Sequence, residues 1–407
     1  MLEFNEALEK ILKHVRRLLP VKLSIAESLG FVLAEDIRTK EPIPLFDSSS
    51  VDGYAVRLQD IRDTAENHPV QLALQSTVSA GYSSSQSLKP FHTIKIMTGA
   101  LLPKKADAVV MKEFAKVKGE TIVFSSAIKE GANLRRRGEE FGKREIVFSK
   151  GTIVTPPVVG MCATLGRSSI KVYHKPRVAL VVTGNELRSP SSKLRRGQIR
   201  DSNSYALSAA LKSAGIFPLL IVHTHDDKTQ ISKSFARALK EADVVISAGG
   251  VSVGDFDYVK QALGDLRVKT VFWRVAMKPG KPNFFGTRGK KLVFGLPGNP
   301  VSALVSLETL VMPALRKMMG IHFSDASNYH AVVESDLKRS AGRTEFVRAF
   351  ASRNINGQLT VRPAAGQGSH MVGGLARANC LIIVPKQQEN INKGDTVVIR
   401  FLSWNRS

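Results

Sequence analysis

Residues 177–184 read "RVALVVTG", a run of aliphatic and β-branched side chains that ends in a glycine. A continuous apolar run of this length is typical of a strand that is buried on both faces of a sheet. The next stretch, "SNSYALSAALKSAG" (202–215), has helical spacing, with Ser202 or Asn203 as its N-cap and Gly215 as its C-terminal stop. A strand followed by a helix is the first half of a βαβ unit.

The same alternation of strand and helix continues to residue 319. Strands are predicted at "FPLLIVHT", "DVVISAGG" and "KLVFGL", and helices at "KTQISKSFARALKEA", "FDYVKQAL" and "VSALVSLETLVMPALRKMM". Such repeats form right-handed crossovers around a parallel sheet that helices cover on both faces. The pattern predicts a doubly wound, mostly parallel α/β sheet domain over residues 176–322.

The flanking segments differ in character, which predicts a multidomain α/β chain. Residues 1–175 are predicted to be helical and β-rich, with an inserted β subdomain at about 46–140. They open on an amphipathic helix, whose apolar face is Phe4, Ala7, Leu8, Ile11, Leu12, Val15 and Leu19, and "LSIAESLGFVLAEDI" (23–37) predicts a helix that returns to a strand. Residues 326–407 carry short strands and predict a small C-terminal β domain.

The composition narrows the possible function. Lys and Arg number 59 against 35 Asp and Glu, a net charge of +24, yet the basic residues are spread along the chain, with short clusters at 133–144 and 193–200. Because no nucleic-acid-binding motif accompanies them, anionic small molecules are better partners than specific nucleic acid. No apolar run is long enough for a membrane span. The two distant cysteines, Cys162 and Cys380, favour a reducing cytoplasm.

Charged side chains and glycines follow the predicted strands where each one ends. They include Glu186, Asp226 and Asp227, the glycines of "SAGGVSVGDFDY" (247–258), the lysines of "MKPGKP" (277–282) and the loop "GLPGNP" (295–300). Ligands bind at the carboxyl ends of such sheets, where glycine amides and lysines suit phosphate and carboxylates suit Mg²⁺. This edge predicts a phosphorylated ligand with a metal, although either aspartate could instead cap the following helix.

Taken together, the motifs resemble one known family. In order they are "FDSSSVDGYAVR", "IMTGALLPKKADAVV", "TGNEL", "GQIRDSN", "SAGGVSVGDFDY", "FWRVAMKPGKP", "GLPGNPVSA", "RTEFVRA" and "GQGSHMVGGLARAN". This series, from residue 46 to 379, is similar to that of the molybdopterin molybdenumtransferases. The resemblance implies an enzyme that converts adenylylated molybdopterin and molybdate to molybdenum cofactor and AMP, with Mg²⁺ or another divalent cation.

The resemblance also implies roles for individual residues. The catalytic set is Asp52, Thr98, Glu140, Glu186, Asp226 and Asp257, of which the last three hold the metal. Substrate contacts come from Gly249, Gly250, Ser252, Gly254, Lys278, Lys281, Pro297, Pro300, Arg348 and Ser369. Glu140 stands where the family usually has Asp, and "FDSSSVDGYA" replaces the commoner Asn-Ser-Ala-Met.

The family further implies an elongated homodimer in which Asp52, Thr98 and Glu140 come from the neighbouring subunit. Contact with a molybdopterin adenylyltransferase is another implied partnership. Two alternative functions remain open. The chain could itself be a molybdopterin adenylyltransferase, or it could be a non-catalytic scaffold of the same fold. The N-terminal motifs and C-terminal tail disfavour the first, and the charged strand ends disfavour the second.

Overall fold

A computed structural model describes residues 1–82, 86–250, 257–321, 328–339 and 341–405 of the chain. Its α-helices are α1 (Phe4–His14), α2 (Leu58–Ile61), α3 (Pro156–Thr164), α4 (Asn203–Ser213), α5 (Lys228–Glu241), α6 (Asp257–Asp265), α7 (Pro300–Ser306), α8 (Met312–Met318) and α9 (Val372–Ala376). Its strands are β1 (Pro20–Ser24), β2 (Ile37–Arg38), β3 (Ser48–Ser49), β4 (Gly53–Val56), β5 (Val70–Val78), β6 (His92–Ile96), β7 (Ala108–Met111), β8 (Ala115–Lys118), β9 (Thr121–Phe124), β10 (Leu134–Arg135), β11 (Ile146–Phe148), β12 (Ser169–Tyr173), β13 (Val178–Thr183), β14 (Leu187–Arg188), β15 (Ile199–Arg200), β16 (Leu220–Thr224), β17 (Val244–Ala248), β18 (Lys269–Trp273), β19 (Met277–Lys278), β20 (Phe284–Arg288), β21 (Lys291–Leu296), β22 (Asn328–Val333), β23 (Thr344–Arg353), β24 (Leu359–Pro363), β25 (Cys380–Val384) and β26 (Thr396–Phe401).

The chain folds into two compact units. The first, called the large unit, comprises Met1–Ala34, Gly151–Val159 and Ser168–Ser407. The second, called the small unit, comprises Glu35–Lys150 and Gly160–Arg167.

A six-stranded sheet in the order β16-β13-β17-β21-β20-β18 forms the centre of the large unit. β16, β13, β17 and β21 are parallel, whereas β20 and β18 add an antiparallel edge. Alternate residues of β13 face opposite sides: Leu180 packs in a core that includes α1, α4, α7 and α8, and Val181 packs with α5 and α6. The predicted doubly wound sheet is confirmed, and the antiparallel edge is an addition that the sequence pattern did not indicate.

The helix predicted from residue 301 to 319 is interrupted. A π-helical turn, Leu307–Val311, lies between α7 and α8. Pro313 has no amide to donate to the carbonyl of Thr309, and the Thr309 hydroxyl donates to the Val305 carbonyl at 2.7 Å. The hydrogen-bonding ladder therefore changes register at the proline.

The start of the large unit departs from prediction in two places. Helix α1 buries Phe4, Ala7, Leu8 and Ile11 but ends at His14, so Leu19 is exposed. The helix predicted after residue 23 is wrong: β1 pairs with β12 as far as Ser24, and a single 3-10 turn, Ile25–Glu27, follows. Backbone pairing with a distant strand outweighs the local helical pattern here.

The C-terminal strands close into a small barrel within the large unit. Its order is β23-β24-β22-β26-β25, and β25 pairs back to β23, while β19 joins the outside of β23. Buried residues such as Val361, Ile382 and Ile399 fill its interior. The predicted C-terminal β domain is confirmed.

The small unit is built on a six-stranded sheet of order β7-β4-β6-β5-β9-β8. One core contains Val56, Leu72 and Phe124, and a second contains Ile94 and Val109. This sheet confirms the predicted β-rich character of the N-terminal region.

Candidate functional site

A cavity of about 660 Å³ lies at the carboxyl ends of the parallel strands in the large unit. Its lining draws on the segments that follow β13, β16, β17 and β21. Six residues with predicted roles line it, namely Glu186, Asp226, Gly249, Gly250, Pro297 and Pro300. The sheet therefore brings together residues that are more than one hundred positions apart in sequence.

Two glycines form the floor of this cavity after β17. Gly249 has φ +88° and Gly250 has φ +65°, backbone conformations that favour glycine. A Cβ atom on Gly249 would lie 2.6 Å from the carbonyl oxygen of Thr183 and 2.9 Å from its hydroxyl oxygen. The Thr183 hydroxyl is buried and has no hydrogen-bond partner among the described residues. Because Thr183 also lines the cavity, it is a polar group of the site that the sequence did not single out.

The two aspartates after β16 have separate tasks. Asp227 is the N-cap of α5, and its carboxylate accepts a hydrogen bond from the Gln230 amide at 2.9 Å. Asp226 accepts from the Asn185 amide at 3.2 Å, while the Asn185 side chain accepts from the Asp226 amide at 3.1 Å. This reciprocal pair fixes Asp226 beside the cavity and leaves its second carboxylate oxygen for a ligand.

Glu186 is the second carboxylate of the cavity lining. Its carboxylate folds over Gly184, where a Cβ atom would lie 2.8 Å from Glu186 Oε2. Across the part of the chain that the structure describes, no three His, Cys, Asp or Glu side chains are grouped closely enough to hold a metal ion by themselves. Two carboxylates completed by phosphate oxygens and water are, however, a common arrangement for Mg²⁺.

Hydrogen bonds hold the proline-rich loop 297–300 from two sides. The Asn203 side chain donates to the Gly298 carbonyl at 2.7 Å, and the Asn299 side chain donates to the Ser369 hydroxyl at 3.1 Å. The Val301 amide donates to the Ser369 carbonyl at 3.2 Å. Proline geometry and these contacts together shape this wall before any ligand arrives.

Arg348 supports the segment that carries Ser369. Its guanidinium is buried and donates to the carbonyls of Gly368 at 3.2 Å and Gly366 at 2.8 Å. Burial lowers the pKa of Arg348, and its Nε atom has no hydrogen-bond partner within the described part of the chain. The arginine therefore positions the loop that meets 297–300, and His370 of the same loop lines the cavity.

The two lysines of "MKPGKP" lie apart from the cavity lining. Lys278 forms an ion pair with Glu345 at 2.9 Å, and its side chain is half exposed. Lys281 is also exposed, and among the described lining residues the loop is represented by Pro282 instead. The loop itself is rigid because Gly280, at φ +107°, packs against Ser306 and its carbonyl accepts from the Asn283 side chain.

Three predicted site residues cannot be placed in this way. Ser252 and Gly254 lie outside the described residues, and so does the side chain of Asp257, although α6 begins at that position.

In the small unit, the structure joins two of the predicted catalytic residues. Asp52 Oδ1 accepts hydrogen bonds from the Thr98 amide and hydroxyl, both at 2.8 Å, and Lys112 lies 3.8 Å from Oδ2. The Thr98 backbone bond, followed by its hydroxyl bond, lowers the pKa of Asp52. Glu140 is exposed and donates its amide to the Ile43 carbonyl at 3.0 Å.

Sequence reasoning missed a buried carboxylate at the start of α4. Asp201 accepts from the Ser204 amide at 3.0 Å, from the Ser204 hydroxyl, and from His223 Nε2 at 2.8 Å. Burial acts to raise the pKa of Asp201, but the hydrogen bonds from Ser204 and His223 outweigh it and hold the pKa below its ordinary value. The sequence motif "GQIRDSN" contains this aspartate. Its contact with His223, on an edge strand of the sheet, becomes visible only in the folded structure.

A smaller cavity of about 390 Å³ adjoins this carboxylate. Its lining includes Arg188, Tyr205 and His223, and it shares Gly184, Leu187 and Asp201 with the larger cavity. The two cavities are therefore neighbours on the large unit and share part of their lining.

Family models match the chain in three consecutive stretches. Residues 2–166 match the "MoeA N-terminal region (domain I and II)", 179–317 a "Probable molybdopterin binding domain", and 330–402 the "MoeA C-terminal region (domain IV)". Among the described residues, no helix is both long and apolar enough to cross a membrane.

Individual relatives are similar over nearly the whole length. A molybdopterin molybdenumtransferase of Haemophilus influenzae is 34% identical over 98% of both chains, and one of Bacillus subtilis is 35% identical over 93% of this chain and 88% of its own. The crystal structure of the molybdopterin biosynthesis moeA protein from Pyrococcus horikoshii OT3 has a TM-score of 0.83 at 31% identity, covering 98% of this chain and all of that one.

Proposed function

The chain belongs to the MoeA family of molybdopterin molybdenumtransferases, and on that premise we propose how its residues divide the work of the reaction. It is a transferase of molybdenum cofactor biosynthesis that inserts molybdenum into molybdopterin. The observation that carries the assignment of the site is the 660 Å³ cavity in the molybdopterin-binding domain.

The proposed substrates are adenylylated molybdopterin and molybdate, and the products are molybdenum cofactor and AMP. Water attacks one phosphorus as the P–O bond between the two phosphates breaks, so AMP leaves and the pterin keeps its phosphate. The two dithiolene sulfurs replace two molybdate oxygens, which leave as water. The Gly249 amide donates to the Leu296 carbonyl at 3.3 Å, so the phosphate contact is proposed for the Gly250 amide, and neither glycine has a side chain that would obstruct the phosphate. Pro297 and Pro300 stiffen another part of the lining, so we expect the substrate to meet a surface that needs little reorganisation.

Glu186 and Asp226, with Asp257, are the residues that would hold a divalent cation, for which we propose Mg²⁺. Their carboxylate oxygens suit this hard ion, and substrate phosphates would complete the set. The cation would neutralise negative charge on the leaving phosphate. Anchoring of Asp226 by Asn185 keeps one of these ligands in place beforehand.

Molybdate is proposed to bind at the other end of the site, near Ser252, Lys278, Lys281, Arg348 and Ser369. Ser369 is fixed by Asn299, and Arg348 orders the loop that carries it. Lys278 pairs with Glu345 outside the cavity lining, and its half-exposed side chain is available to an oxyanion. Each charge-assisted bond to an oxyanion contributes about 1.5 to 3 kcal/mol.

Replacing both lysines with alanine tests this assignment. The double variant should need a much higher molybdate concentration for half-maximal AMP release. Arg135, Arg136 and Arg137 in the small unit provide the control, because exposed charges are screened within about 8 Å at physiological salt. A triple alanine variant there should respond to molybdate as the wild type does. A lost response in the triple variant, with a normal one in the double variant, would remove the molybdate site from this loop.

We propose that the enzyme is a homodimer in which Asp52, Thr98 and Glu140 of one subunit complete the cavity of the other. Asp52 accepts two hydrogen bonds from Thr98, which lower its pKa. These bonds support a role for the pair in the site, in addition to any role in forming the turn. Mixed dimers of Asp52→Ala and Asp226→Ala provide the test. Random exchange of two inactive variants should restore about a quarter of wild-type activity, because half of the dimers would contain one intact site. No recovery despite proven subunit exchange would contradict a shared site.

Two further features of the setting are also proposals. A cytoplasmic location is supported by Cys162 and Cys380, which are both unpaired and buried, with the pKa of Cys380 raised to about 12 by burial. Contact with a molybdopterin adenylyltransferase would pass the adenylylated substrate on without release. Slower coupled turnover when a catalytically inactive adenylyltransferase is added as a competitor would support such contact.

A further inference from the structure

A strongly basic loop at the rim of the cavities has no role in the proposed chemistry. Residues 189–198, called the basic loop, connect β14 to β15 and read "SPSSKLRRGQ". Lys193, Arg195 and Arg196 are all exposed. The loop contains no acidic residue.

Hydrogen bonds give the basic loop a defined shape. The Arg200 side chain donates to the Pro190 carbonyl at 2.8 Å, and the Ser192 amide donates to the Ser189 carbonyl at 3.1 Å. The Arg195 amide donates to the side chain of Gln198 at 3.0 Å. These bonds fix the backbone of the loop that carries the three cations.

The basic loop borders both cavities. Ser189 and Ser192, at one end of the loop, line the 390 Å³ cavity, whereas Ile199 and Arg200, just beyond its other end, line the 660 Å³ cavity. Lys193, Arg195 and Arg196 lie between these lining residues in the chain. The three cations therefore belong to the segment that joins the linings of the two cavities.

The three loop cations, unlike Arg177 and Lys278, have no carboxylate partner among the described residues. Arg177 is bound to Asp243 and Lys278 to Glu345, whereas no ion pair joins the three loop cations to a carboxylate within the described ranges. Unpaired charges of one sign beside a cleft create a field that attracts ligands of the opposite sign.

We propose that the basic loop captures the polyanionic substrate and raises its rate of entry into the cavity. This inference rests on the proposed function, since adenylylated molybdopterin carries several negative charges. Charges of this kind act before contact, so they raise the association rate and leave the chemical step unchanged. The loop also accounts for part of the +24 net charge.

The test variant replaces Lys193, Arg195 and Arg196 with glutamine. A matched control replaces Lys240, Arg288 and Lys290, three exposed cations at the amino-terminal edge of the same parallel strands. Both variants lose three positive charges. Two readouts are compared with wild type across a salt series: kcat/KM for AMP release, and the stopped-flow association rate of the fluorescent probe N-methylanthraniloyl-AMP.

At about 10 mM salt, where screening extends to about 30 Å, the loop variant should lose about three- to tenfold in both readouts with kcat unchanged. At about 1 M salt the difference should disappear, and the control should match wild type throughout. Equal behaviour of loop variant and control at low salt would overturn the inference. A loss in kcat that persists at high salt would overturn it too, as would slowing seen only when adenylyltransferase supplies the substrate.

Failure of the proposed function would look different. Wild type would then release no AMP in response to molybdate, whereas the association of the nucleotide probe would still report on the loop.

Discussion

Gly249→Ala perturbs the cavity floor at the point of closest packing. The residue has φ +88°, and an added Cβ would lie 2.6 Å from the Thr183 carbonyl oxygen, well inside van der Waals contact. A left-handed backbone conformation costs alanine about 1 to 2 kcal/mol relative to glycine. Overpacking against a backbone atom in a buried strand costs about 1 to 3 kcal/mol more. The free energy of unfolding should therefore fall by about 2 to 5 kcal/mol.

Gly289→Ala is the matched control for this prediction. Gly289 has φ +60° in the turn between β20 and β21, and nothing lies within 4 Å of its added Cβ. It should lose only the conformational part, about 1 to 2 kcal/mol, and keep wild-type AMP release. Thermal or urea unfolding of both variants, followed by the AMP assay on folded protein, measures the difference. Equal stabilities of the two variants would refute the close packing of Gly249 against Thr183. Normal AMP release by Gly249→Ala would refute the role of Gly249 in the site.

Two other predictions concern aspartates beside the site. Asp227→Ala removes the N-cap of α5, so unfolding should be easier by about 1 kcal/mol while AMP release by the folded enzyme stays unchanged; a loss of activity without a loss of stability would contradict the capping role. Asp201 has a lowered pKa in the folded state, so its contribution to stability is present above about pH 4 and is lost as the pH falls through the folded pKa. Asp201→Asn should therefore be less stable than wild type at pH 6, and the gap should narrow below pH 4; a gap that is constant with pH would contradict this.

The sequence predicted the large sheet because its strands are long apolar runs that need little context. β13, β17 and β21 lie where those apolar runs occur. Because the carboxyl ends of parallel strands meet at one edge of the sheet, the sequence also placed Glu186 and Asp226 together. Thr183 and the Asp201–His223 contact were missed, since each depends on a neighbouring strand that the local sequence does not specify.

The same limit explains the errors in secondary structure. Residues 23–37 have a helical pattern, yet β1 gains backbone pairing with β12, almost 150 positions away. The π-helical turn before α8 depends on one proline within an otherwise regular apolar pattern. Long-range pairing and single-residue interruptions are the features that periodicity averages out.

The most direct test of the account is AMP release from adenylylated molybdopterin by the purified enzyme, measured with a divalent cation in the presence and absence of molybdate. Release should depend on molybdate in the wild type and should be lost in Asp226→Ala, although thermal unfolding of that variant is unchanged. AMP release that is independent of molybdate, or full activity in that variant, would contradict the assignment of the reaction to this cavity.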